Sequence, residues 1–151
     1  MTASQQPAAT DILSRAREVF DTEIAGVTQV RDGLGDEFVQ LIHRTLEVLG
    51  NGGKIVLTGV GKSAHISRKI SATLASTGAL SVFMHPVEAM HGDLGVIAAN
   101  DIVLAVSYSG ETDELLRVIP AIKRIGVPLV AVTGVATSRL AEFAEIGRAH
   151  V

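Results

Sequence analysis

The sequence contains no cysteine and no tryptophan, and aromatic residues make up only 3% of its 151 positions. Without cysteine, disulfide bonds and thiolate metal sites are excluded. With so few aromatic residues, the core must be built from Val, Ile, Leu and Ala, and a hydrophobic content of 47% supplies enough of them. An aliphatic core of this kind is typical of a parallel sheet covered by helices.

Strong charge and long apolar runs are also missing. The net charge is −3, and no basic block or basic stripe with interleaved aromatics occurs, so nucleic-acid binding is not indicated. No apolar run approaches the roughly 18 residues that a membrane span needs. The segment Met1–Asp11 lacks the basic start and apolar stretch of a secretory signal. We therefore expect a cytoplasmic protein with neither a nucleic-acid nor a membrane partner.

The first 50 residues predict two helices. Apolar residues recur at helical spacing from Asp11 to Val27, and Asp36 is a candidate cap for a second helix, which stops before Asn51-Gly52-Gly53. We expect residues 1–50 to form a helical lead-in that packs on the following domain.

From Lys54 onward, short apolar runs alternate with helical patterns. The predicted strands are Lys54–Thr58, Leu80–Met84, Asp101–Val106 and Pro128–Val132. The predicted helices are Ser63–Thr77 with Ile66, Ile70 and Leu74 on one face, Glu111–Ile125 with Leu115, Leu116, Ile119 and Ile122 inward, and Thr137–Ala144, and a polar loop runs from His85 to Gly95. This pattern predicts an α/β fold, a three-layer αβα sandwich with a parallel, flavodoxin-like sheet. Ligands of such sheets bind beyond the carboxyl ends of the strands.

The pattern is cut short at its C-terminus. Because no strand or helix is predicted after Ala144, we expect residues 51–145 to be an incomplete domain. The last six residues, 146–151, can be encoded by DNA that matches a common short-read sequencing adapter, and we expect them to be a non-native tail. A natural stop codon directly after Val151, found by long-read sequencing of the source locus, would contradict this.

Two strand-to-helix junctions carry residue types that bind phosphate. The first, Gly59-Val60-Gly61-Lys62-Ser63, combines a flexible turn with the free N–H groups of a helix start. The second, Ser107-Tyr108-Ser109-Gly110-Glu111-Thr112, adds neutral hydroxyl donors at another helix start. The second alone could be an ordinary Ser/Thr cap. Two such junctions in one sheet favour a bound phosphate.

Two well-known nucleotide motifs do not fit the first junction. A Walker A loop requires glycine where this chain has Val56. The spacing Gly59-x-Gly61-x-x-Ala64 matches the loosest dinucleotide fingerprint, but no acid follows Phe83 to hold a ribose. Neutral donors suit a monophosphate better than a triphosphate.

The titratable residues near these junctions allow more than one interpretation. His85 and His91 lie in one loop with Glu88 and Asp93, but their spacing matches no standard zinc signature, so a catalytic or hydroxyl-binding pair is as good an interpretation as a metal site. Lys62 could be a solvated side chain. Glu114 could be a surface acid or a partner of the helix dipole.

Together these residues resemble the sugar-isomerase (SIS) domain of arabinose-5-phosphate isomerases. The resemblance runs from about Lys54 to Ala144 and is carried by GVGKSAHISRKISATLASTG, HPVEAMHGDLG, SYSGETDEL and PAIKRIGVPLVAVTG. It implies an aldose–ketose isomerase that interconverts ribulose 5-phosphate and arabinose 5-phosphate, on the route to the Kdo of lipopolysaccharide. It also implies a homotetramer that binds a small sugar phosphate and needs no cofactor.

The resemblance further implies roles for individual positions. It implies that Lys62 and Glu114 are catalytic and that an inhibitory zinc binds at His85. The substrate-binding positions that it implies are Gly61, Ser63, Gly78, Ala79, His85, His91, Ser107, Ser109, Gly110 and Thr112. The chain departs from the family at Ala64 and Ser67, where Gly is usual, at Tyr108, where Asn is usual, and at Thr112-Asp113, in place of a Ser pair. Because the family uses a Glu and a His beyond Glu145, and usually a CBS-domain pair, we expect these 151 residues alone to be poorly active.

Two other classes of protein remain as alternatives. A sugar-phosphate-sensing SIS domain of a transcription regulator would follow a helix-turn-helix module, whereas the lead-in here has long helices of mixed charge. Amino-sugar isomerases of the same fold give no reason for the HGDLG sequence. We therefore favour the isomerase.

Overall fold

The computed structural model describes residues 8–144 and the backbone of residues 146–149. The chain divides between Gly33 and Leu34 into two compact units. The first unit contains α1 (Ala9–Asp32), in which no residue is buried. Its apolar side chains are exposed at Ile12, Leu13, Val19, Phe20, Ile24, Val27 and Val30. No helix in the described part of the chain is long and apolar enough to cross a membrane.

The second unit is a parallel sheet with helices on both faces. Its elements are α2 (Asp36–Gly50), β1 (Ile55–Gly59), α3 (Lys62–Ser76), β2 (Ser81–Met84), α4 (Pro86–Met90), a 3-10 helix (Asp93–Val96), β3 (Ile102–Val106), α5 (Asp113–Ile125), β4 (Leu129–Val132), α6 (Arg139–Phe143) and β5 (Ile146–Ala149). All strand pairs are parallel, in the order β2-β1-β3-β4-β5. The predicted α/β class and its flavodoxin-like strand order are therefore confirmed.

The structure adds a strand where none was predicted. β5 pairs with β4 from Val130 opposite Ile146, with an irregular register after that pair. Without β5, the outer edge of β4 would present unpaired N–H and C=O groups, and an extended segment satisfies them. The expectation of no strand after Ala144 was wrong. The proposed non-native tail also includes His150 and Val151, which lie outside the described residues, as does Glu145.

Two further local predictions were wrong. The predicted polar loop from His85 to Gly95 contains α4 and the 3-10 helix. Pro86 occupies the first helical position of α4, where its missing N–H costs nothing. Asp36 does not cap α2, because Gly35 is the N-cap and Asp36 is the first helical residue. There its charge favours the positive end of the helix dipole.

Alternate side chains of each strand build a core on either side of the sheet. In β1, Val56 belongs to one cluster, and Ile55 and Leu57 belong to the other. The first cluster includes the buried residues of α5 that were predicted to face inward, Leu115, Leu116, Ile119 and Ile122. The second includes Val48 from α2. Aliphatic side chains thus make up most of both clusters.

α3 packs on the sheet through small side chains. Its buried residues are Ala64, Ser67 and Ser71, whereas Ile66 and Ile70 are exposed. Leu74 is the member of the predicted apolar face that packs against the second core cluster. Small residues let the helix backbone approach the strands, and the exposed isoleucines leave an apolar stripe on its outer surface.

Replacing Ser67 with alanine is expected to stabilise the protein. The Ser67 hydroxyl is fully buried and has no hydrogen-bond partner among the described residues. Removing an unsatisfied buried hydroxyl should raise the free energy of unfolding by about 1 kcal/mol, or the melting temperature by roughly 2–4 °C. Ser71→Ala is the matched control, because the Ser71 hydroxyl accepts a hydrogen bond from Ser81 at 3.1 Å. Loss of this hydrogen bond should destabilise the protein. Equal effects of the two substitutions in calorimetry would contradict this reasoning.

Asp101 ties the starts of β1 and β3 together. Its carboxylate accepts hydrogen bonds from the Lys54 backbone N–H at 2.9 Å, the Lys54 ammonium at 2.6 Å and the Ala98 N–H at 2.7 Å. Burial raises the pKa of Asp101, but these hydrogen bonds and the Lys54 charge outweigh it and leave the pKa below its ordinary value. The carboxylate is therefore held in its charged form.

Asp101→Asn is expected to cost about 2–3 kcal/mol of unfolding free energy at pH 7, because an amide cannot accept all three hydrogen bonds. A carboxylate whose pKa is lowered on folding stabilises the protein above its ordinary pKa of about 3.9, and this contribution is lost as the pH falls through the folded value. Urea unfolding of both proteins from pH 7 downward should therefore show their difference shrinking below about pH 4. A difference that stays constant with pH would contradict the linkage.

Candidate functional site

The carboxyl ends of β1, β2 and β3 lie side by side. Gly59 is paired with Val106, and Thr58 with Met84. A Cβ on Gly59 would lie 2.9 Å from the Val106 carbonyl oxygen and 3.2 Å from Ser63 Cβ, so only glycine fits there. The Gly61–Ser63 turn, His85 and the loop from Ser107 therefore leave the sheet at one edge, as predicted.

The loop Ser107–Thr112, called here the phosphate loop, is organised by its own hydroxyl groups. Buried Ser107 Oγ lies 2.9 Å from Thr112 Oγ1 and accepts the Gly110 N–H at 3.1 Å. Ser109 Oγ accepts the Glu111 N–H at 3.2 Å. Thr112 is the N-cap of α5. The loop therefore brings three hydroxyl groups together at a helix start and holds them there by hydrogen bonds within the loop.

A second segment, from residue 133, directly after β4, to residue 140 in the first turn of α6, is hydrogen-bonded to the phosphate loop. The Tyr108 carbonyl accepts hydrogen bonds from Thr133 Oγ1 at 3.1 Å and Gly134 N–H at 3.0 Å, and the Gly110 carbonyl accepts one from Leu140 N–H at 3.1 Å. The Tyr108 ring lies over Gly134 and is 73% exposed. These supporting residues could not be identified from the sequence, because the acceptors are backbone carbonyl groups, which every residue type has.

An ion pair fastens the outer end of the phosphate loop to α6. Glu111 accepts the Arg139 backbone N–H at 2.8 Å with one carboxylate oxygen and the Arg139 Nε–H at 2.6 Å with the other. The hydrogen bond from the Arg139 backbone N–H is the larger cause and the guanidinium the smaller one. Together they lower the pKa of Glu111 below its ordinary value. Asp113 lies 3.5 Å from the same guanidinium. A pair separated by 28 positions could not be read from sequence spacing.

Lys62 and Glu114 both lie in the first turn of a helix at this edge. Lys62 is the first residue of α3, directly after Gly61, whose φ of +59° favours glycine, and Glu114 is the second residue of α5. Both side chains are exposed, and neither has an ion-pair partner within the described part of the chain. They are thus available to a ligand. Ser63 beside them is half-buried.

The two histidines of the candidate site differ in their surroundings. His85 is half-buried at the start of α4, where its Nδ1 accepts the Val87 N–H at 3.3 Å. His91 is exposed, directly after α4. Among residues 8–144, no group of three His, Asp or Glu side chains is placed to hold a metal. Zinc at His85 stays a prediction.

Gly78 and Ala79 lie at the other edge of the sheet. They follow α3, whose 15 residues carry the chain about 22 Å away from the carboxyl edge. They precede Ser81, which pairs with the first residue of β1. The structure therefore brings Gly61, Ser63, His85 and the phosphate loop to one edge, and within one chain it does not bring Gly78 and Ala79 there.

Comparisons with known proteins identify the family and the fold. The SIS domain family model matches residues 49–149. The arabinose 5-phosphate isomerase KdsD of Pseudomonas aeruginosa is 43% identical over 136 residues, which are 90% of this chain and 41% of that protein. The arabinose 5-phosphate isomerase GutQ of Escherichia coli K12 is 43% identical over 129 residues, 85% of this chain and 39% of that protein. The chain thus spans about two fifths of the length of these relatives.

A solved structure shows the same fold with a ligand. The protein from Escherichia coli CFT073, in complex with arabinose 5-phosphate, matches with a TM-score of 0.89 and 38% identity, over 96% of this chain and 76% of that one. The doubly wound fold defines the class. The chain belongs to the SIS domain family.

Proposed function

We propose that this chain is the sugar-phosphate-binding part of an aldose–ketose isomerase that interconverts D-arabinose 5-phosphate and D-ribulose 5-phosphate. The observation that carries the proposal is the phosphate loop, in which the hydroxyls of buried Ser107 and of Thr112, the N-cap residue of α5, lie 2.9 Å apart at the start of that helix. Relatives named arabinose 5-phosphate isomerases, at 40–43% identity, support the choice of sugar.

The phosphate would lie between the two helix starts. The hydroxyls of Ser107, Ser109 and Thr112 would donate to its oxygens, Gly110 would line the turn between them, and Gly61 and Ser63 would close the opposite side. Both helix dipoles favour an anion there. A set of neutral donors with one nearby cation, Lys62, matches a monoester dianion, because each oxygen can receive a hydrogen bond without a large fixed charge.

The sugar end of the substrate would then lie among the titratable residues. In the reaction a base removes the C2 proton of the open-chain aldose, an enediolate forms, and a proton is delivered to C1 while the carbonyl moves from C1 to C2. The ammonium group of Lys62 would stabilise the developing oxyanion. Glu114 provides a carboxylate at the same edge that can move the proton. The electrons stay within the substrate, so no redox cofactor enters the balance.

The proposal extends to the setting that the family resemblance implies. The arabinose 5-phosphate it forms in the reverse direction would feed the Kdo of lipopolysaccharide, in the cytoplasm, and the enzyme would be a homotetramer. A neighbouring copy in such a tetramer would bring Gly78 and Ala79 to the carboxyl edge that they do not reach within one chain. Light scattering coupled to size-exclusion chromatography tests this, and a monomer under all conditions would contradict it.

Two experiments test the function. In the first, the 151-residue chain is titrated with arabinose 5-phosphate and followed by NMR, and the amide signals of the phosphate loop should shift. Glucose at the same concentration is the control for a neutral sugar. The absence of any shift at about 10 mM ligand, a concentration at which even millimolar affinity would show, would contradict the proposal.

In the second, residues 34–144 replace the matching segment of the Pseudomonas aeruginosa relative, which gives a chimera of that relative's full length. The chimera should form ribulose 5-phosphate from arabinose 5-phosphate. A folded chimera that binds the substrate without turnover would favour a sugar-phosphate sensor. The isolated 151-residue chain should turn it over poorly or not at all.

A further inference from the structure

Glu111 connects the phosphate loop to α6 through both of its carboxylate oxygens. One oxygen accepts the backbone N–H of Arg139 at 2.8 Å, and the other accepts its Nε–H at 2.6 Å. Arg139 is the first residue of α6, so its N–H has no carbonyl partner within that helix. A carboxylate from 28 positions earlier in the chain therefore supplies the acceptor that the start of α6 lacks.

The backbone of Glu111 also holds a hydroxyl group of the phosphate loop. Ser109 is exposed, and its Oγ accepts the Glu111 N–H at 3.2 Å. A hydroxyl that accepts a hydrogen bond in this way keeps its own O–H proton free to donate to a ligand. The orientation of the Ser109 hydroxyl therefore depends on where the backbone of Glu111 lies, and the side chain of Glu111 fixes that backbone on Arg139.

This ion pair differs from an ordinary exposed one. The Arg44–Glu47 pair on α2 joins residues three positions apart on a single helix, and pairs of that kind contribute little to a protein. The Glu111–Arg139 pair joins two separate segments and adds a backbone hydrogen bond to the contact between the side chains. It therefore restrains the position of the phosphate loop relative to α6.

We propose that Glu111 and Arg139 are positioning residues of the phosphate loop, whose ion pair holds the Ser109 hydroxyl where it donates to a sugar phosphate. The identity of the ligand rests on the proposed function, whereas the restraint on the loop does not. Glu111 acts through Ser109 and does not itself contact the ligand. Its negative charge disfavours a phosphate dianion nearby, so the benefit of the pair must come from geometry and not from charge.

The restraint on the loop is tested first and without any substrate. In NMR spectra of the 15N-labelled 151-residue chain, the Arg139 Nε–H should exchange slowly with water, with its signal assigned from its loss in Arg139→Met. The Nε–H of Arg17, which is exposed on α1, is the internal comparison and should exchange faster. Glu111→Gln should remove the protection and shift the Ser109 amide signal, as Arg139→Met should. An Arg139 Nε–H that exchanges as fast as that of Arg17 would overturn the proposal.

Binding of arabinose 5-phosphate to the same chain then separates geometry from charge. Glu111→Gln removes a negative charge and Arg139→Met removes a positive one, so charge alone would strengthen binding in the first variant and weaken it in the second. If the pair positions the loop, both variants should bind about fivefold more weakly, as when the competent loop is populated about one-fifth of the time. The double variant should show about the same loss, because a single contact is broken in all three.

Two further variants are the control and the rescue. Asp113→Asn removes a negative charge 3.5 Å from the same guanidinium and leaves both hydrogen bonds of Glu111 in place, so it should not weaken binding. Arg139→Lys keeps the positive charge and a donor for Glu111, so it should recover most of the affinity that Arg139→Met loses.

The possible outcomes separate this inference from the proposed function. If the unmodified chain fails to bind arabinose 5-phosphate, the proposed function is wrong, and the exchange of the Arg139 Nε–H still decides whether the pair restrains the loop. If the chain binds and Glu111→Gln strengthens binding or leaves it unchanged, the positioning role is wrong. Losses that multiply in the double variant, or a loss in Asp113→Asn as large as that in Glu111→Gln, would also contradict it.

Discussion

Replacing Lys62 with glutamine is expected to lower kcat of the chimeric isomerase by about 10²–10³-fold, with little change in KM. Lys62 is the first residue of α3, follows the Gly61 turn, and has no ion-pair partner in the part of the chain that the structure describes. Its charge is therefore free to act on oxygen that becomes negative only during the reaction. Glutamine keeps the length and polarity of the side chain and removes the charge.

Lys69→Gln is the matched control for Lys62→Gln. Lys69 is exposed on the same helix, seven residues later and so on nearly the same side of α3, about 10 Å farther from the carboxyl edge. Steady-state kinetics of the two variants separate a local effect from a change in overall charge. Similar losses in both would mean a general electrostatic effect, and a Lys62→Gln enzyme with unchanged kcat would remove Lys62 from the mechanism.

Replacing Gly110 with alanine is expected to cost roughly 3–4 kcal/mol of unfolding free energy. Gly110 has a φ of +65°, and a Cβ there would lie 2.1 Å from Ser138 Oγ and 2.4 Å from Ser138 Cβ. Ser138 is buried and caps α6 by accepting the Ala141 N–H, so it cannot turn away without breaking the cap. The phosphate loop must move instead, and binding of arabinose 5-phosphate should be lost with it.

A control and a rescue distinguish steric overlap from backbone strain at Gly110. Gly126 also has a left-handed conformation, with φ +83°, but nothing lies within 4 Å of a Cβ placed there. Gly126→Ala should therefore cost only about 1 kcal/mol. The double variant Gly110→Ala with Ser138→Gly removes the overlapping atoms and should recover part of the loss. In urea unfolding, equal costs at the two glycines would show that the overlap does not matter.

The sequence predicted the parts of the fold that depend on hydrophobic pattern alone. The runs that became β1, β3 and β4 are apolar throughout, as buried parallel strands require, and each predicted boundary lay within one residue of the observed one. The inward face of α5 was also correct, because its large aliphatic residues face a sheet. α3 was less predictable. It buries Ser67 and Ser71 and exposes Ile66, since a close approach to the strands excludes larger side chains.

The sequence predicted that the two junctions lie at one edge of the sheet, but it did not predict the residues that support them. Glycine, serine and lysine at two strand ends were sufficient to predict two phosphate-type junctions at one edge. Thr133, Ser138 and Arg139 were not foreseen, because they act on backbone groups and on a residue 28 positions earlier. The cap at His85 was missed for a different reason: histidine is outside the usual set of N-cap residues.

The position of Tyr108 has a practical consequence. It is the single tyrosine of a chain without tryptophan, and its ring lies on Gly134 at the open edge of the phosphate loop. Under excitation near 280 nm, where tyrosine and tryptophan are the side chains that absorb, all intrinsic emission therefore originates within this one loop. A ligand that enters the loop changes the surroundings of the ring, so the unlabelled protein carries a native optical reporter at the place where its substrate is proposed to bind.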